Sequence, residues 1–197
     1  MIKMKRNIKP NSNHKTLLVP KLSKQQMYVL YFFLYAFIGW TLETLYAIYE
    51  LGGFHKRGFL FGPICPLYGF GALILLIFLS NYKKNSIKLF FIAAIVFSVF
   101  EYVVGYALDA MFGLKWWDYT NEFFNLNGRI SIFFSVVWGI IAILFINHLH
   151  PFIEKKVTLF IEKIPYPIQV TILKVIFIAF STDTVLSCIR YLSVKML

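Results

Sequence analysis

Two glutamates, Glu43 and Glu101, each stand inside a long run of apolar residues. An acidic side chain placed deep in an apolar helix costs about 2.5 to 3.5 kcal/mol on membrane-insertion scales, so it has to be offset by its surroundings. The helix around Glu101 can do so: 13 Leu, Ile, Phe and Val residues lie between Leu89 and Phe112. Two uses then compete. As functional groups, the glutamates bind a cationic or polar substrate or carry protons as a site opens. As structural groups, each is held by an arginine, a tryptophan N–H or a tyrosine hydroxyl and fixes helix packing. Asp183, in Ser181-Thr182-Asp183-Thr184, is a third such acid; its polar neighbours can satisfy it locally, which ranks it below the glutamates.

The other chemistry-bearing residues fall in two connecting segments. One runs Arg57-Gly58-Phe59-Leu60-Phe61-Gly62-Pro63-Ile64-Cys65-Pro66-Leu67-Tyr68-Gly69. The other runs Lys115-Trp116-Trp117-Asp118-Tyr119 and on to Asn125-Leu126-Asn127-Gly128-Arg129. Arg57 and Arg129 can reach inward to the glutamates or outward to anionic head groups. Trp116, Trp117 and Tyr119 alone make an interfacial aromatic belt, but Asp118 is a carboxylate where a belt needs none. The candidate substrate or transport residues are therefore Glu43, Glu101, Arg57, Arg129, Asp118, Trp117, Asn127 and Asp183. No catalytic residue, metal site or cofactor is expected. No HExxH, CxxC or GxSxG occurs, and no Gly is followed by Lys, so the chain holds no phosphate-binding P-loop. His148 and His150 are expected at an interface, and Cys65 and Cys188 as two buried thiols.

These residues must be positioned by membrane helices. Of 197 residues 59% are hydrophobic and 15% charged, against roughly 25% charged in soluble domains, which argues against a water-soluble globule. A net charge of +11 is concentrated in a basic start and in residues flanking apolar runs, a pattern that suits anionic lipid rather than nucleic acid. Uninterrupted apolar length predicts an all-α integral membrane protein with five spans, near 27–49, 66–80, 87–112, 130–149 and 168–191. The expected organisation is a basic cytoplasmic tail over 1–26, a four-helix transmembrane core with two outer loops over 27–149, a cytoplasmic amphipathic segment over 150–166 and a fifth helix over 167–197. Thirteen Lys and Arg fall on one side of these spans and six on the other. The positive-inside rule then places the N-terminus in the cytoplasm and the C-terminus outside.

Sliding the chain on itself reveals a degenerate repeat. An offset of 58 superimposes Ala36 on Ala94, Glu43 on Glu101 and Ala47 on Gly105. An offset of 70 superimposes Tyr68-Gly69 on Trp138-Gly139 and Ala72 on Ala142. Two parallel helix-loop-helix units related by an axis along the membrane normal would produce this pattern, and chance similarity between apolar helices would serve as well.

At these motifs the sequence resembles a bacterial family of ABC-transporter type IV permeases. The resemblance rests on Gly39-Trp40 with Glu43, Arg57-Gly58-Phe59-Leu60, the string from Gly62 to Gly69, Glu101-Tyr102 with Gly105, Trp117-Asp118-Tyr119, Phe124-Asn125-Leu126-Asn127-Gly128-Arg129, and Trp138-Gly139. It implies a permease of the bacterial plasma membrane. Read from the residues themselves, the first hypothesis is a path lined by Glu43 and Glu101 and gated outside by the Arg57 and Arg129 loops. Such a permease needs a separate ATPase subunit; the amphipathic segment from Pro151 to Ile164 either rests on lipid or is the docking element for that partner. Five spans are few for a closed path, so a homo-oligomer or larger complex is expected, with the lipid bilayer as the other partner and no nucleic acid. The alternatives are an enzyme acting on lipid or envelope precursors at the outer face through Asp118, Arg129 and the glutamates, and a proton-coupled transporter without an ATPase.

Overall fold

A computed structural model describes residues 21–195; the rest of the expected tail lies outside the described residues. Every regular element in it is helical: α1 (Lys24–Leu51), α2 (Pro66–Ile74), α3 (Ser86–Phe112), α4 (Ile132–Leu144), α5 (His150–Ile161) and α6 (Tyr166–Lys195). A π-helical turn, Leu75–Leu79, and a 3-10 turn, Ser80–Tyr82, extend α2, and a second π-helical turn, Phe145–Leu149, joins α4 to α5. Four continuous helices are long and apolar enough to cross a membrane, Lys24–Leu51, Ser86–Phe112, Ile132–Ile161 and Tyr166–Lys195, with the shorter apolar Pro66–Tyr82 between the first two.

Local chemistry sets the ends. Ser23 and Gln26 form a reciprocal capping box at the start of α1, which stops at Gly52 in the left-handed region (φ 70°). The Asn85 side chain accepts from Lys88 N (2.9 Å) to open α3, and Gly113 (φ 67°) closes it. Pro66 sits in the first turn of α2, where its missing N–H is not needed. Ser131 caps α4. Gln169 Nε2 donates to the carbonyls of Ile161 (3.0 Å) and Ile164 (2.6 Å), tying the end of α5 to α6.

Packing turns the repeat into architecture. The main helix contacts are α1 on α2 and α3 on α4. Gly69 lies so close to α1 that an added Cβ would be 2.7 Å from both the ring and the carbonyl oxygen of Phe32. Gly139 lies in the same way against Phe90 of α3, at 2.6 Å from the ring and 3.0 Å from the carbonyl oxygen. Phe90 is 58 positions after Phe32 and Gly139 is 70 after Gly69, the same two offsets found in the sequence. α2 ends at Ile74 and α4 at Leu144, and the π-helical turns begin at Leu75 and Phe145, again 70 apart. The protein is thus two helix-loop-helix units with α6 laid against α1 and α3. The shared core runs between the units through Tyr35, Ala72, Leu75, Leu89, Ala93, Phe97, Ala142 and Phe145.

The units diverge beyond the π turn. The first ends within four residues, at Tyr82, whereas the second continues without interruption to Ile161. Most of the expected amphipathic segment is therefore an extension of the fourth helix, with Phe152, Leu159 and Phe160 exposed along it.

Because backbone oxygens bound both contacts, side-chain rotation cannot make room for a methyl group. Gly69→Ala and Gly139→Ala should each destabilise the protein by about 1–3 kcal/mol through overpacking. Gly53→Ala, with nothing within 4 Å of the added carbon, should leave thermal unfolding in detergent unchanged.

Candidate functional site

The two glutamates occupy equivalent faces of α1 and α3. Small residues precede them on each face, Ala36 and Gly39 before Glu43, Ala94 and Ser98 before Glu101, and these let neighbouring helices approach. Glu101 is 4% exposed and Glu43 is half-buried. The aromatic residue that precedes each close-packed glycine lies over the carboxylate of its own unit. Tyr68, whose ring fills the space above Gly39, turns its hydroxyl toward Glu43. Trp138, stacked on Phe97 at 5.3 Å, faces Glu101 with its indole N–H, which forms no hydrogen bond of regular geometry among the described residues.

A third aromatic group approaches Glu101 from the second loop. Tyr119, from the 113–131 loop, stacks on Phe134 of α4 (4.3 Å) and donates its hydroxyl to Glu101 Oε1 over a long 3.4 Å. Burial first, and then the carboxylates of Glu101 and Glu43, push its pKa up, so it is a protonated donor at neutral pH. On the other flank Cys65 Sγ lies 4.0 Å from Glu43 Oε1, a weak contact, while Cys65 N donates to Ala36 O at 3.0 Å. A carboxylate has about four lone-pair sites, and each glutamate meets only one or two weak donors among the described residues.

Neither arginine forms an ion pair with a glutamate among the described residues. Arg129 bonds Asp109 Oδ2 at 2.7 Å and lies over the rings of Tyr102 and Tyr106 at 5.6 and 5.5 Å. Trp117 packs against Gly105 and donates its indole N–H to Arg129 O at 2.9 Å. Asp109 is a site residue that the sequence reading does not include, although Glu101, Gly105 and Asp109 share one helical face at four-residue spacing. Arg57 is half-buried, and its Nε has no hydrogen-bond partner among the described residues.

Asp118 and Asn127 shape the second loop. Asp118 accepts from the backbone N–H (3.0 Å) and the hydroxyl of Thr120 and from Lys115 Nζ (3.2 Å). The Thr120 hydroxyl above all, then its N–H and Lys115, hold the Asp118 carboxyl below the usual aspartate range. Asn127 adopts a left-handed backbone (φ 54°) and donates to the Tyr102 hydroxyl at 3.0 Å. Gly128 (φ 67°) runs so close to Asp118 and Thr120 that no side chain fits there.

Asp183 lies apart from this cluster. It accepts from Phe61 N (2.8 Å), Gly62 N (2.7 Å) and Ser187 Oγ (3.1 Å), so only part of its satisfaction is local and the rest comes from the first loop. Phe61 is flanked by Lys56 (4.6 Å) and Arg190 (5.1 Å). Burial, followed by the neighbouring Arg190, lowers the Lys56 pKa. His150 is placed inside rather than at an interface: its side chain is 14% exposed and its Nδ1 shares a 2.8 Å hydrogen bond with the Tyr35 hydroxyl. Both cysteines are free, Cys65 buried and Cys188 half-buried.

A protein-family model described as "Putative ABC-transporter type IV" matches residues 30–188. The match spans both units and most of α6. No curated protein and no solved structure matches the chain.

The loop geometry makes two outcomes measurable. Asp109→Asn should loosen residues 115–129 and raise their hydrogen exchange, at a cost of about 1 kcal/mol once partial solvent screening is allowed for. The second concerns Asp118. A carboxyl with a depressed folded pKa contributes stability above its unfolded pKa and loses it as pH falls through the folded value. Loop order, read from tryptophan fluorescence, should therefore hold from pH 8 to about 5 and fail below the ordinary aspartate range near 3.9. Thr120→Val should move that transition upward.

Proposed function

The chain belongs to the ABC-transporter type IV family, and we propose on that premise that it is the membrane-spanning subunit of a transporter with Glu43 and Glu101 as the polar point of its substrate path. One observation carries the reading: the two carboxylates stand at equivalent positions of two structural units, and each is met by long, weak donors, the Cys65 thiol 4.0 Å from Glu43 and the Tyr119 hydroxyl 3.4 Å from Glu101. Acids held only for packing would have strong partners. Here Arg129 is taken by Asp109, and the glutamates retain unfilled lone pairs that a cationic or polar substrate can occupy.

The second loop supports passage rather than lipid chemistry. Asp118 and Arg129, the groups an outer-face enzyme would use, are already engaged with Thr120, Lys115 and Asp109. Trp117 and Asn127 then hold the second loop against α3, Arg57 keeps an unpartnered Nε for substrate in the first loop, and Asp183 ties α6 to that loop. ATP hydrolysis falls to a separate subunit, because no Gly-Lys pair is present to build a P-loop. The exposed far end of the fourth helix, with Lys155 and Lys156, is its docking element. The charge distribution supports a plasma-membrane orientation with the N-terminus in the cytoplasm. A second copy, or a larger complex, completes the path.

The test is capture of the tagged protein from its native membrane in mild detergent, with mass spectrometry of what accompanies it. An ATPase bearing a P-loop should copurify reproducibly. Lys155→Glu with Lys156→Glu should abolish that capture while membrane insertion is unchanged. Recovery of only the protein itself, or of envelope-synthesis enzymes, would overturn the reading.

A further inference from the structure

A second polar cluster lies at the opposite end of the bundle, where α1 begins. A cavity of about 350 Å³ opens to the surface there, lined by the exposed Lys24 and Glu154, by Tyr28, Tyr31, Ser80 and His150, and by apolar Met27 and Leu76. Tyr31 is 3% exposed, yet its hydroxyl has no hydrogen-bond partner among the described residues. His150 Nδ1 is engaged by Tyr35, but its Nε2 stands 3.9 Å from Glu154, beyond hydrogen-bond reach. Lys24 lies over the Tyr28 ring at 5.6 Å and forms no ion pair with Glu154. A hydroxyl, an imidazole nitrogen, a carboxylate and an ammonium thus surround one space, each with unused capacity.

The repeat shows that packing does not require these groups. The counterparts of Tyr31 and Tyr35, 58 residues on, are Leu89 and Ala93, both fully buried and apolar. The counterpart of His150, 70 residues earlier, is Ser80, whose hydroxyl donates to the Leu76 carbonyl of its own helix. The first unit thus carries phenols at Tyr31 and Tyr35 where the second has hydrocarbon, Ser80 lines the same cavity as His150, and the Tyr31 hydroxyl is left unsatisfied although buried polar groups are normally paired.

We propose that this chamber binds a zwitterionic phosphate ester, in which a primary ammonium and a phosphate are joined by a short carbon linker. The wall charges select for both ends at once. A simple anion would be drawn to Lys24 and repelled by Glu154, and a simple cation would meet the reverse. A phosphate seated between Lys24 and the Tyr31 hydroxyl, with the ammonium on Glu154, engages those three groups at once. The apolar walls at Met27 and Leu76 can accept the hydrocarbon of a phospholipid carrying this head group. A free phosphoethanolamine presents the same polar chemistry.

Native mass spectrometry of the delipidated full chain in detergent tests the proposal. The probes are phosphatidylethanolamine, phosphatidylglycerol and phosphatidylcholine supplied in equal amounts, and free phosphoethanolamine in a separate titration. The ethanolamine lipid should be retained about tenfold over the other two, as expected for one charge-assisted hydrogen bond, because phosphatidylglycerol lacks the ammonium and phosphatidylcholine lacks its N–H donors. E154Q should erase the preference over phosphatidylglycerol. Tyr31→Phe, which keeps the ring and the packing, should lower ethanolamine-lipid binding with an unchanged melting temperature. Saturation by phosphoethanolamine without preference among the lipids would support the same chemistry and assign it to a soluble ester. Equal retention of all three lipids with no binding of phosphoethanolamine would overturn the proposal, as would wild-type binding by both variants.

Discussion

The close approach of glycine to phenylalanine, made twice, is the constraint on which the rest of the structure depends. In hydrocarbon no hydrophobic force drives one helix onto another, because lipid tails are as apolar as leucine. Helices associate where backbones can come near enough for dense van der Waals contact, and a residue without Cβ permits that. Gly69 against Phe32 and Gly139 against Phe90 are such points. Each fixes the distance and rotation of its hairpin. The residue just before each glycine, Tyr68 or Trp138, is thereby placed over the glutamate of the neighbouring helix. Packing and site geometry are set by the same dipeptide.

Duplication also shows which residues answer to packing and which do not. Positions matched in both units, such as Ala72 with Ala142 and the paired π turns, are needed to build a hairpin of this kind. Positions that differ have been free to specialise. At the loop end the units diverge in how each glutamate is approached, with Cys65 beside Glu43 and Tyr119 beside Glu101. At the other end one unit stops at Tyr82, while its counterpart runs on to Ile161 and carries His150 into the interior against Tyr35.

Much of this is legible in the residues, for identifiable reasons. Apolar length places the spans to within a few residues, except that the fourth runs on twelve residues beyond its expected end at 149, since a bilayer imposes a minimum span that few charged residues can interrupt. The repeat is visible because close contact tolerates only small residues at Ala36, Gly69 and Gly139. The continuity of the fourth helix is hidden by Pro151, which reads as a break. In the structure it falls in the first turn of α5, directly after the π turn, where backbone pairing is already shifted and a missing N–H matters least. The Arg129 partner escapes notice because Asp109 lies near a helix end and resembles an interfacial charge, although its spacing from Glu101 and Gly105 puts it on the loop-facing side. The interior placement of His150 has no sequence signal, since it depends on where the π turn falls.

The two loops matter because of how they hold the glutamates without neutralising them. An arginine paired with either glutamate would neutralise it. Instead the available guanidinium of the second loop is drawn to Asp109 and sandwiched by Tyr102 and Tyr106. Asp118 is spent on ordering its own turn through Thr120. The groups that reach the carboxylates are the Tyr119 hydroxyl, 3.4 Å from Glu101, and the Cys65 thiol, 4.0 Å from Glu43, and such long bonds from neutral donors can be exchanged for another partner at little cost. Strong charges stabilise the scaffold at the periphery while weak, replaceable donors occupy the centre. That division leaves each glutamate with lone pairs that no strong donor fills among the described residues.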